Sequence, residues 1–297
     1  IMLNRDKIKH VRIAACDLNG QMRGKILPKF EEKKFNDGSI RMPLSALNVD
    51  IFGADIENSP LVFETGDQDG LLKSTCRGAI PVPWLKNPTA LVPMSMFMET
   101  GMPFEGDPRY ALERVLKDYE TKGLKVLAAT EMEFYLIDES KNSILPPINP
   151  ISKKRLSTPD VLGISELNCF EDFFAELQDS CEQVGINLQS IISESGCGQF
   201  EVTLKHCEAL KASDDAWLFK SLAKGLARKH SMAATFMAKP YLQDAGNGMH
   251  IHFSIINADG DNIFDNKTNE GSEVLRWAVA GCLEGLRGST LIFAPFG

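Results

Sequence analysis

The stretch LAATEMEFYLI at residues 127–137 determines how its part of the chain folds. It is apolar enough to lie in the interior as a β-strand, and alternate side chains of a strand point to the same face. Glu131 and Glu133 therefore project together. Burying an ionised carboxylate without a partner is costly, and two neighbouring carboxylates repel each other. Since the stretch contains no lysine or arginine, we expect either carboxyl groups of raised pKa or a cation between them; the alternative is an edge strand with both glutamates in water.

A second acidic pair lies in SESGCGQFEV at residues 193–202. Glu194 and Glu201 stand on either side of a turn that contains Gly196 and Gly198, between two apolar strands. A hairpin of this kind returns the second carboxylate close to the first, which a site for a hard cation requires. The alternative is a surface hairpin with charged ends.

A pair of histidines lies in GNGMHIHFSI at residues 246–255. On a strand, His250 and His252 share a face with Ser254. Imidazole is the commonest side-chain metal ligand, so two histidines at this spacing favour a site. Gly246 and Gly248, just before the strand, would allow a ligand to approach the backbone closely.

Carboxylates combined with imidazole indicate magnesium or manganese rather than zinc. Two adjacent divalent ions could bridge nucleotide phosphates and offset charge in phosphoryl transfer. The sequence contains neither a G-x-x-x-x-G-K-[ST] loop nor G-x-G-x-x-G, so neither a P-loop nor a Rossmann nucleotide site is supported.

Composition narrows the class of protein further. The formal net charge is −8, without a basic block, which argues against nucleic acid or an anionic membrane as the main partner. The seven cysteines are scattered and form no Cys-x-x-Cys pair, which is typical of a reducing cytosol. No apolar run approaches the ~20 residues that span a bilayer, and the amino end has no signal-peptide pattern. We therefore expect a soluble, cytoplasmic protein.

The chain reads as two domains, at residues 1–100 and 107–297, joined by a polar linker. In the first, two strands flank Asn19-Gly20, a strong hairpin signal. In the second, helices and strands alternate. Helices are predicted from Pro108 and near 170–184, 214–229 and 272–286, and strands near 125–137, 187–194, 199–205, 234–239 and 249–257.

In this order, the three motifs resemble those of the glutamine synthetase family over nearly the whole chain. Lys239-Pro240 and residues 246–252 match the K-P and G-x-G-M-H-x-H sequences of that family. The resemblance implies an α+β fold, with a small β-grasp amino-terminal domain and a catalytic domain that has a curved antiparallel sheet and flanking helices. It also implies ATP, Mg²⁺ or Mn²⁺ at two or more sites, and ring-shaped homo-oligomers with active sites between subunits.

The resemblance also assigns roles to residues. It implies metal ligands in two sets, Glu133, Glu194 and Glu201 for one ion and Glu131 and His250 for the other. It implies nucleotide contacts from Gln189, His252 and Ser254. It implies substrate contacts from Glu133 and Gly246.

The implied reaction is phosphorylation of the glutamate γ-carboxylate by ATP, followed by attack of an amine on the acyl phosphate. The family's D-G-S-S loop, which helps to bind ammonium, corresponds here to RMPLSALNVDIFG at residues 41–53, and Ala245 stands where ammonia-using members often have asparagine. Both departures favour a γ-glutamyl-polyamine or γ-glutamyl-amine synthetase. The alternatives are a true glutamine synthetase, a non-catalytic structural or regulatory relative, and a metal hydrolase that uses the two histidines.

Members of the family continue well beyond the position of Gly297. The substrate-clamping arginines, a flap glutamate and a further metal ligand lie in that continuation. Catalytic residues are therefore expected beyond Gly297, and the 297-residue chain alone is expected to have negligible ligase activity.

Overall fold

The computed structural model describes residues 8–28, 32–140 and 143–293. The chain divides into two compact units. Unit 1 comprises the chain up to Val115 together with Ala175–Asn187 and Trp217–Lys229; unit 2 comprises Leu116–Phe174, Leu188–Ala216 and the chain from His230 onward. The domain boundary near residues 100–107 stays a prediction.

Unit 1 contains a six-stranded sheet in the order β2-β1-β6-β4-β3, with β5 beside β6. The strands are β1 (His10–Cys16), β2 (Met22–Leu27), β3 (Ile40–Pro43), β4 (Asp69–Ser74), β5 (Ile80–Pro81) and β6 (Thr89–Phe97). β1 and β6 are parallel at the centre, and the other neighbours are antiparallel. A first hairpin whose first strand lies parallel to the last strand agrees with the implied β-grasp arrangement.

The predicted hairpin at Asn19-Gly20 is confirmed, and one carboxylate organises its turn. Gly20 has a φ of +68°, which an L side chain rarely adopts. The buried carboxylate of Asp17 accepts bonds from the backbone N–H groups of Asn19 and Gln21, both at 2.8 Å, and from Nε of Arg23 at 2.7 Å. Every oxygen of this carboxylate therefore has a donor.

Short helices connect the strands of unit 1. They are α1 (Glu32–Asn36), a 3-10 turn (Leu44–Leu47) and α2 (Pro60–Phe63), none of which the sequence patterns predicted. The next helix, α3 (Pro108–Glu120), begins as predicted after Asp107, whose Oδ1 accepts the backbone N–H of Arg109 at 2.9 Å. The core of the sheet includes Val11, Ile13, Leu72 and Met96.

Unit 2 is built around β7 (Lys125–Ile137), which has the predicted bounds. One edge of β7 pairs with β9 (Gln199–Leu204) and β10 (Cys207–Glu208), and the other with β11 (Ala233–Thr235) and β12 (Met249–Ile256). β8 (Leu188–Ser193) lies beyond β9. Every pair is antiparallel, as the implied catalytic sheet requires.

Aromatic side chains fill one face of this sheet. Phe200 of β9 meets Phe170 and Phe174 edge to face, with ring centroids 5.4 and 5.0 Å apart. Met132 and Phe134 of β7 point to the same buried face. Glu131 and Glu133 alternate with these residues and therefore lie on the opposite face. The remaining helices are α4 (Ile164–Cys169), α5 (Glu171–Val184), α6 (Ala209–Lys229) and α7 (Glu273–Phe293).

Most predicted elements are present, but some ends differ. α6 begins at Ala209 rather than near residue 214, because Ala-Leu-Lys-Ala favours helix and Lys211 pairs with Asp215 one turn later. β11 ends at Thr235 rather than near residue 239. The carbonyl groups that follow it accept bonds from Asn247 instead of from a neighbouring strand.

The seven cysteines, all of which lie in the described ranges, form no disulfide bond. The two longest helices, α6 and α7, have 21 residues each. Neither these nor the other helices within the described ranges combine the length and apolar character that crossing a membrane requires.

Candidate active site

The polar face of the unit 2 sheet gathers residues from three strands. Glu131 of β7 lies directly opposite His250 of β12, and Glu133 lies opposite Glu201 of β9. Paired residues of antiparallel strands share a face. Ligand atoms of Glu131, Glu201 and His250 consequently all lie within 4.8 Å of one another, a spacing at which one ion could bind all three.

Glu131 also binds both histidines of the His-x-His pair. Its Oε2 lies 2.7 Å from Nδ1 of His250, and its Oε1 lies 2.8 Å from Nε2 of His252. The bonds from His252 and His250 lower the pKa of Glu131, and the bond to Glu131 raises the pKa of His250. Glu131 is therefore held as an anion between two nitrogen donors.

Glu133 is positioned by the segment that precedes β12. Its Oε2 accepts the backbone N–H of Gly248 at 2.9 Å and Nε2 of Gln199 at 3.2 Å. A Cβ atom at residue 248 would lie 3.2 Å from Oε1 of Glu133, so glycine is the residue that leaves this carboxylate in place. That a ligand approaches the backbone of this segment closely stays a prediction.

Gln199 connects three parts of the site. Its buried Nε2 contacts Glu133 as described above. The same nitrogen lies 2.9 Å from the carbonyl oxygen of Gly246 and 3.0 Å from Oδ1 of Asn247. Its Oε1 accepts the backbone N–H of Gly196 at 2.9 Å. Because the amide has only two N–H groups, the three acceptors share them. One side chain therefore ties the β8–β9 turn to the segment before His250.

Asp244 and Tyr135 make a second connection between the same segments. The carboxylate of Asp244 accepts the backbone N–H groups of Cys197 and Ala245, each at 3.0 Å. The hydroxyl of Tyr135 donates to the carbonyl of Ala245 at 2.6 Å. Burial raises the pKa of Tyr135, so this phenol stays a donor. Ala245, one of the two departures from ammonia-using relatives, is thus held at both of its backbone polar groups.

Glu201 lies in the centre of the acidic group. Burial, and after it the negative charges of Glu131, Glu133 and Glu194, raise its pKa. The hydroxyl of Thr203 gives it a bond of 3.5 Å. Glu194 acts on Glu201 through its charge, while its own Oε2 accepts the backbone N–H of Ser195 at 3.0 Å. The four predicted glutamates are therefore electrostatically coupled.

This donor set fits a hard divalent cation. Carboxylate oxygens with one imidazole nitrogen are ligands that Mg²⁺ and Mn²⁺ accept. A cation would also offset the repulsion that raises the pKa of Glu201. The structure groups Glu131 and His250 with Glu201, whereas the family resemblance assigned Glu201 to the other ion; the division between two ions stays a prediction.

The predicted nucleotide residues lie on the same sheet. His252 and Ser254 follow His250 on the polar face of β12, opposite Ala129 and Leu127 of β7. Gln189 is exposed at a β-bulge, where the register of β8 shifts between Leu188 and Ser190. Their roles, and the substrate contacts of Glu133 and Gly246, stay predictions.

Gln199, Tyr135 and Asp244 were not predicted as site residues. Gln199 could have been found, because it stands two residues before Glu201 on a strand and must share its face. Tyr135 follows Glu133 at the same spacing. Asp244 lies outside any regular element, and its contacts depend on how the chain returns from β11 to β12.

The carboxylate and imidazole group on an antiparallel sheet is a candidate metal centre. Residues 105–296 match the family model for the glutamine synthetase catalytic domain. The chain belongs to this family.

Relatives with assigned activities resemble the chain over almost its full length. It is 34% identical to gamma-glutamylputrescine synthetase PuuA of Escherichia coli K12, covering 97% of this chain and 61% of the relative. It is 32% identical to a glutamate–isopropylamine ligase of a Pseudomonas species, covering 99% and 64%. It is also 32% identical to a glutamine synthetase of Pyrococcus horikoshii, covering 97% and 60%. The chain thus spans about three fifths of these relatives' length.

Solved structures confirm the fold class. Ligand-free GmaS superposes with a TM-score of 0.81 at 27% identity, over 97% of this chain and 64% of GmaS. The crystal structure of a glutamine synthase homologue gives a TM-score of 0.83 at 22% identity, over 96% of this chain and 64% of that one. The predicted α+β, glutamine-synthetase-type architecture is confirmed.

Proposed function

We propose that this chain is part of an ATP-dependent ligase that joins the γ-carboxylate of glutamate to a primary amine. The observation that carries the proposal is the convergence of Glu131, Glu201 and His250 within 4.8 Å on the sheet of a glutamine synthetase catalytic domain. A scaffold without catalytic activity has no need of a partly buried carboxyl group, that of Glu201, whose pKa is raised by burial and by the charges of neighbouring glutamates.

In this mechanism the residues of the chain position charges rather than form bonds. Glu131, Glu201 and His250, with Glu133 and Glu194 beside them, would hold divalent cations. Such cations would offset the negative charge of the nucleotide phosphates. His252, Ser254 and Gln189 are proposed to contact the nucleotide.

The reaction has two steps. The γ-phosphoryl group of ATP passes to an oxygen of the glutamate γ-carboxylate, which gives an acyl phosphate and ADP. The amine nitrogen then attacks the acyl carbon, the C–O bond to phosphate breaks, and the nitrogen loses a proton. No protein nucleophile takes part, so catalysis depends on positioning and on electrostatic stabilisation.

Two features support an amine larger than ammonia. Residues 41–53 contain no Asp-Gly-Ser-Ser sequence, and Ala245 provides a methyl group where ammonia-using relatives often have a polar amide. Two relatives named for γ-glutamyl-amine chemistry are 34% and 32% identical to the chain. A true glutamine synthetase is the second candidate, because the glutamine synthetase of Pyrococcus horikoshii is also 32% identical to the chain.

An amine screen on the gene product expressed in full tests the proposal. Phosphate release is followed with ATP, Mn²⁺ or Mg²⁺ and glutamate, using ammonia, methylamine, isopropylamine, ethanolamine and putrescine in parallel. We expect kcat/KM for at least one primary amine to exceed that for ammonia at least about tenfold, which is 1.4 kcal/mol of transition-state preference.

Each other outcome selects an alternative. A preference for ammonia makes the protein a glutamine synthetase. Hydrolysis that needs no ATP indicates a metal hydrolase. Absence of phosphate release, together with no binding of Mn²⁺ or ATP in calorimetry, indicates a non-catalytic relative. A ring-shaped homo-oligomer remains part of the proposal, and light scattering on the same preparation tests it.

A further inference from the structure

A groove in unit 1 gathers positive charge on an otherwise acidic chain. It encloses about 350 Å³ and lies beside β1 and the connection from β5 to β6. Its charged and titratable lining residues are His10, Arg12 and Lys86. The groove has no carboxylate in its lining, although the chain as a whole has a net charge of −8.

The strand geometry explains why these side chains meet. His10 and Arg12 are two residues apart on β1 and share its outward face, while Val11 and Ile13 between and after them enter the core. Ile26 of β2 lies opposite Arg12, and Thr89 of β6 lies beside His10. Lys86 and Asn87 come from the turn before β6 and close the groove at its other side.

The side chains of His10, Arg12 and Lys86 form no ion pair or hydrogen bond with the residues that the structure describes. Within the described ranges, His10, Arg12 and Lys86 have no carboxylate within 4.0 Å. Arg23 of the same unit provides a contrast, because its guanidinium binds the buried carboxylate of Asp17 at 2.7 Å. Two permanent like charges in one concave surface repel each other, and a bound anion would reverse that repulsion.

We infer that this groove binds a small anion with two or more negative charges, of the phosphate or dicarboxylate class. A guanidinium group binds two oxygens of a carboxylate or phosphate at once, and an ammonium group adds a second point charge. The exposed methylene surface of Ile26 lines the groove next to Arg12 and favours a ligand that also has a short carbon chain. A volume of about 350 Å³ is at the small end of ligand pockets and suits a metabolite rather than a macromolecule.

Calorimetry on the gene product expressed in full tests this inference. Phosphate, succinate and acetate are titrated separately at constant ionic strength. The protein is first stripped of divalent ions with a chelating resin, so that the acidic cluster of unit 2 holds none and no soluble chelator competes for the groove. We expect saturable binding of phosphate or succinate and at least about tenfold weaker binding of acetate. The first two titrations distinguish a phosphate ligand from a dicarboxylate ligand.

Variants locate the site. Arg12→Gln and Lys86→Gln should each weaken the binding about tenfold or more. Lys9→Gln is the matched control, because Lys9 is an exposed cation next to His10 that does not line the groove; its effect should stay below twofold. Circular dichroism checks that all three variants remain folded.

An equal effect of all three variants, equal binding of acetate, or no saturable binding of any anion would overturn the inference. Because the protein is stripped of metal before the titrations, these outcomes do not depend on ligase activity.

Discussion

The β1–β2 hairpin of unit 1 and the β8–β9 hairpin of unit 2 both place acidic residues beside a glycine-containing turn. In the first, the carboxylate of Asp17 receives two backbone N–H groups and the Arg23 guanidinium, at 2.7–2.8 Å. In the second, Glu201 receives one bond of 3.5 Å and faces three other glutamates. The comparison teaches that a carboxylate with hydrogen-bond donors for both oxygens stabilises the fold. A carboxylate with few donors and other negative charges around it indicates a site for a cation.

The largest expected effect follows from removing the negative charge of Glu201, the poorly hydrogen-bonded carboxylate. In the full gene product, Glu201→Gln should lower ligase activity about a thousandfold, or about 4 kcal/mol of transition-state stabilisation. It should also weaken Mn²⁺ binding, measured by calorimetry. The metal-free variant should not be less stable, because one partly buried negative charge is removed from a repelling group.

Glu208→Gln is the control for this experiment, since Glu208 is an exposed glutamate on β10 of the same sheet. It should leave Mn²⁺ affinity and activity within about twofold of the unchanged protein, as expected for a surface charge. Unchanged Mn²⁺ affinity in Glu201→Gln would remove Glu201 from the metal-binding group and break the comparison.

The converse change is Asp17→Asn in the first hairpin. It should cost about 3 kcal/mol in the free energy of unfolding, because it leaves the Arg23 guanidinium without its buried partner. Urea denaturation measures this loss, with the exposed Asp55→Asn as control. Mn²⁺ affinity should not change. A loss below about 0.5 kcal/mol would mean that Asp17 does not organise its turn.

The sequence was sufficient to predict the strands of both hairpins, because period-two alternation and glycine turns are local signals. It was also sufficient to place Glu131, Glu133 and the two histidines on common faces. It could not show that the carboxylate of Asp17 has hydrogen-bond donors for both oxygens while that of Glu201 has not. Each residue lies beside a glycine-containing turn, so the local pattern does not distinguish them. That distinction depends on donors such as Arg23 that reach a carboxylate through the folded backbone.

The segment between β11 and β12 also makes contacts that the sequence could not predict. Asn247 and Asp244 act through backbone groups that lie close only after β11 and β12 have paired with β7. Because such contacts join residues far apart in the chain, no local pattern specifies them. The family resemblance supplied the ligand residues but not this supporting network.

Glu166 is a third kind of carboxyl group, because in the described part of the chain it is buried without an ion-pair partner and without a cluster of other glutamates around it. Burial raises its pKa to about 7, and Oε1 is buried without a hydrogen-bond partner among the described residues. The folded chain thus binds this proton more tightly than the unfolded chain, whose value is near 4.5. The resulting stability is present below pH ~4.5 and is lost as the pH rises towards 7.

Glu166→Gln should remove that pH dependence. At pH 8 the variant should be about 2–3 kcal/mol more stable than the unchanged protein, while at pH 4.5 the two should differ little. Denaturation curves at both pH values measure the difference, and Glu182→Gln, at an exposed position of α5, serves as control. Equal stability of the variant and the unchanged protein at pH 8 would show that Glu166 is ionised at little cost.

The smallest effect concerns the side chain that joins the acidic group to its support. Gln199→Met keeps the volume of the side chain but removes the bonds to Glu133, Gly246 and Gly196. Loss of residues that orient metal ligands typically lowers metal affinity about 10-fold to 100-fold, and we expect the lower limit, about 1.4 kcal/mol, because Gly248 still holds Glu133. Calorimetry with Mn²⁺ measures this change, and Gln178→Met on the helix α5 is the control. If Gln199→Met lowers the free energy of unfolding but leaves the Mn²⁺ affinity of the folded protein unchanged, Gln199 stabilises the fold, as Asp17 does, and does not orient the metal ligands.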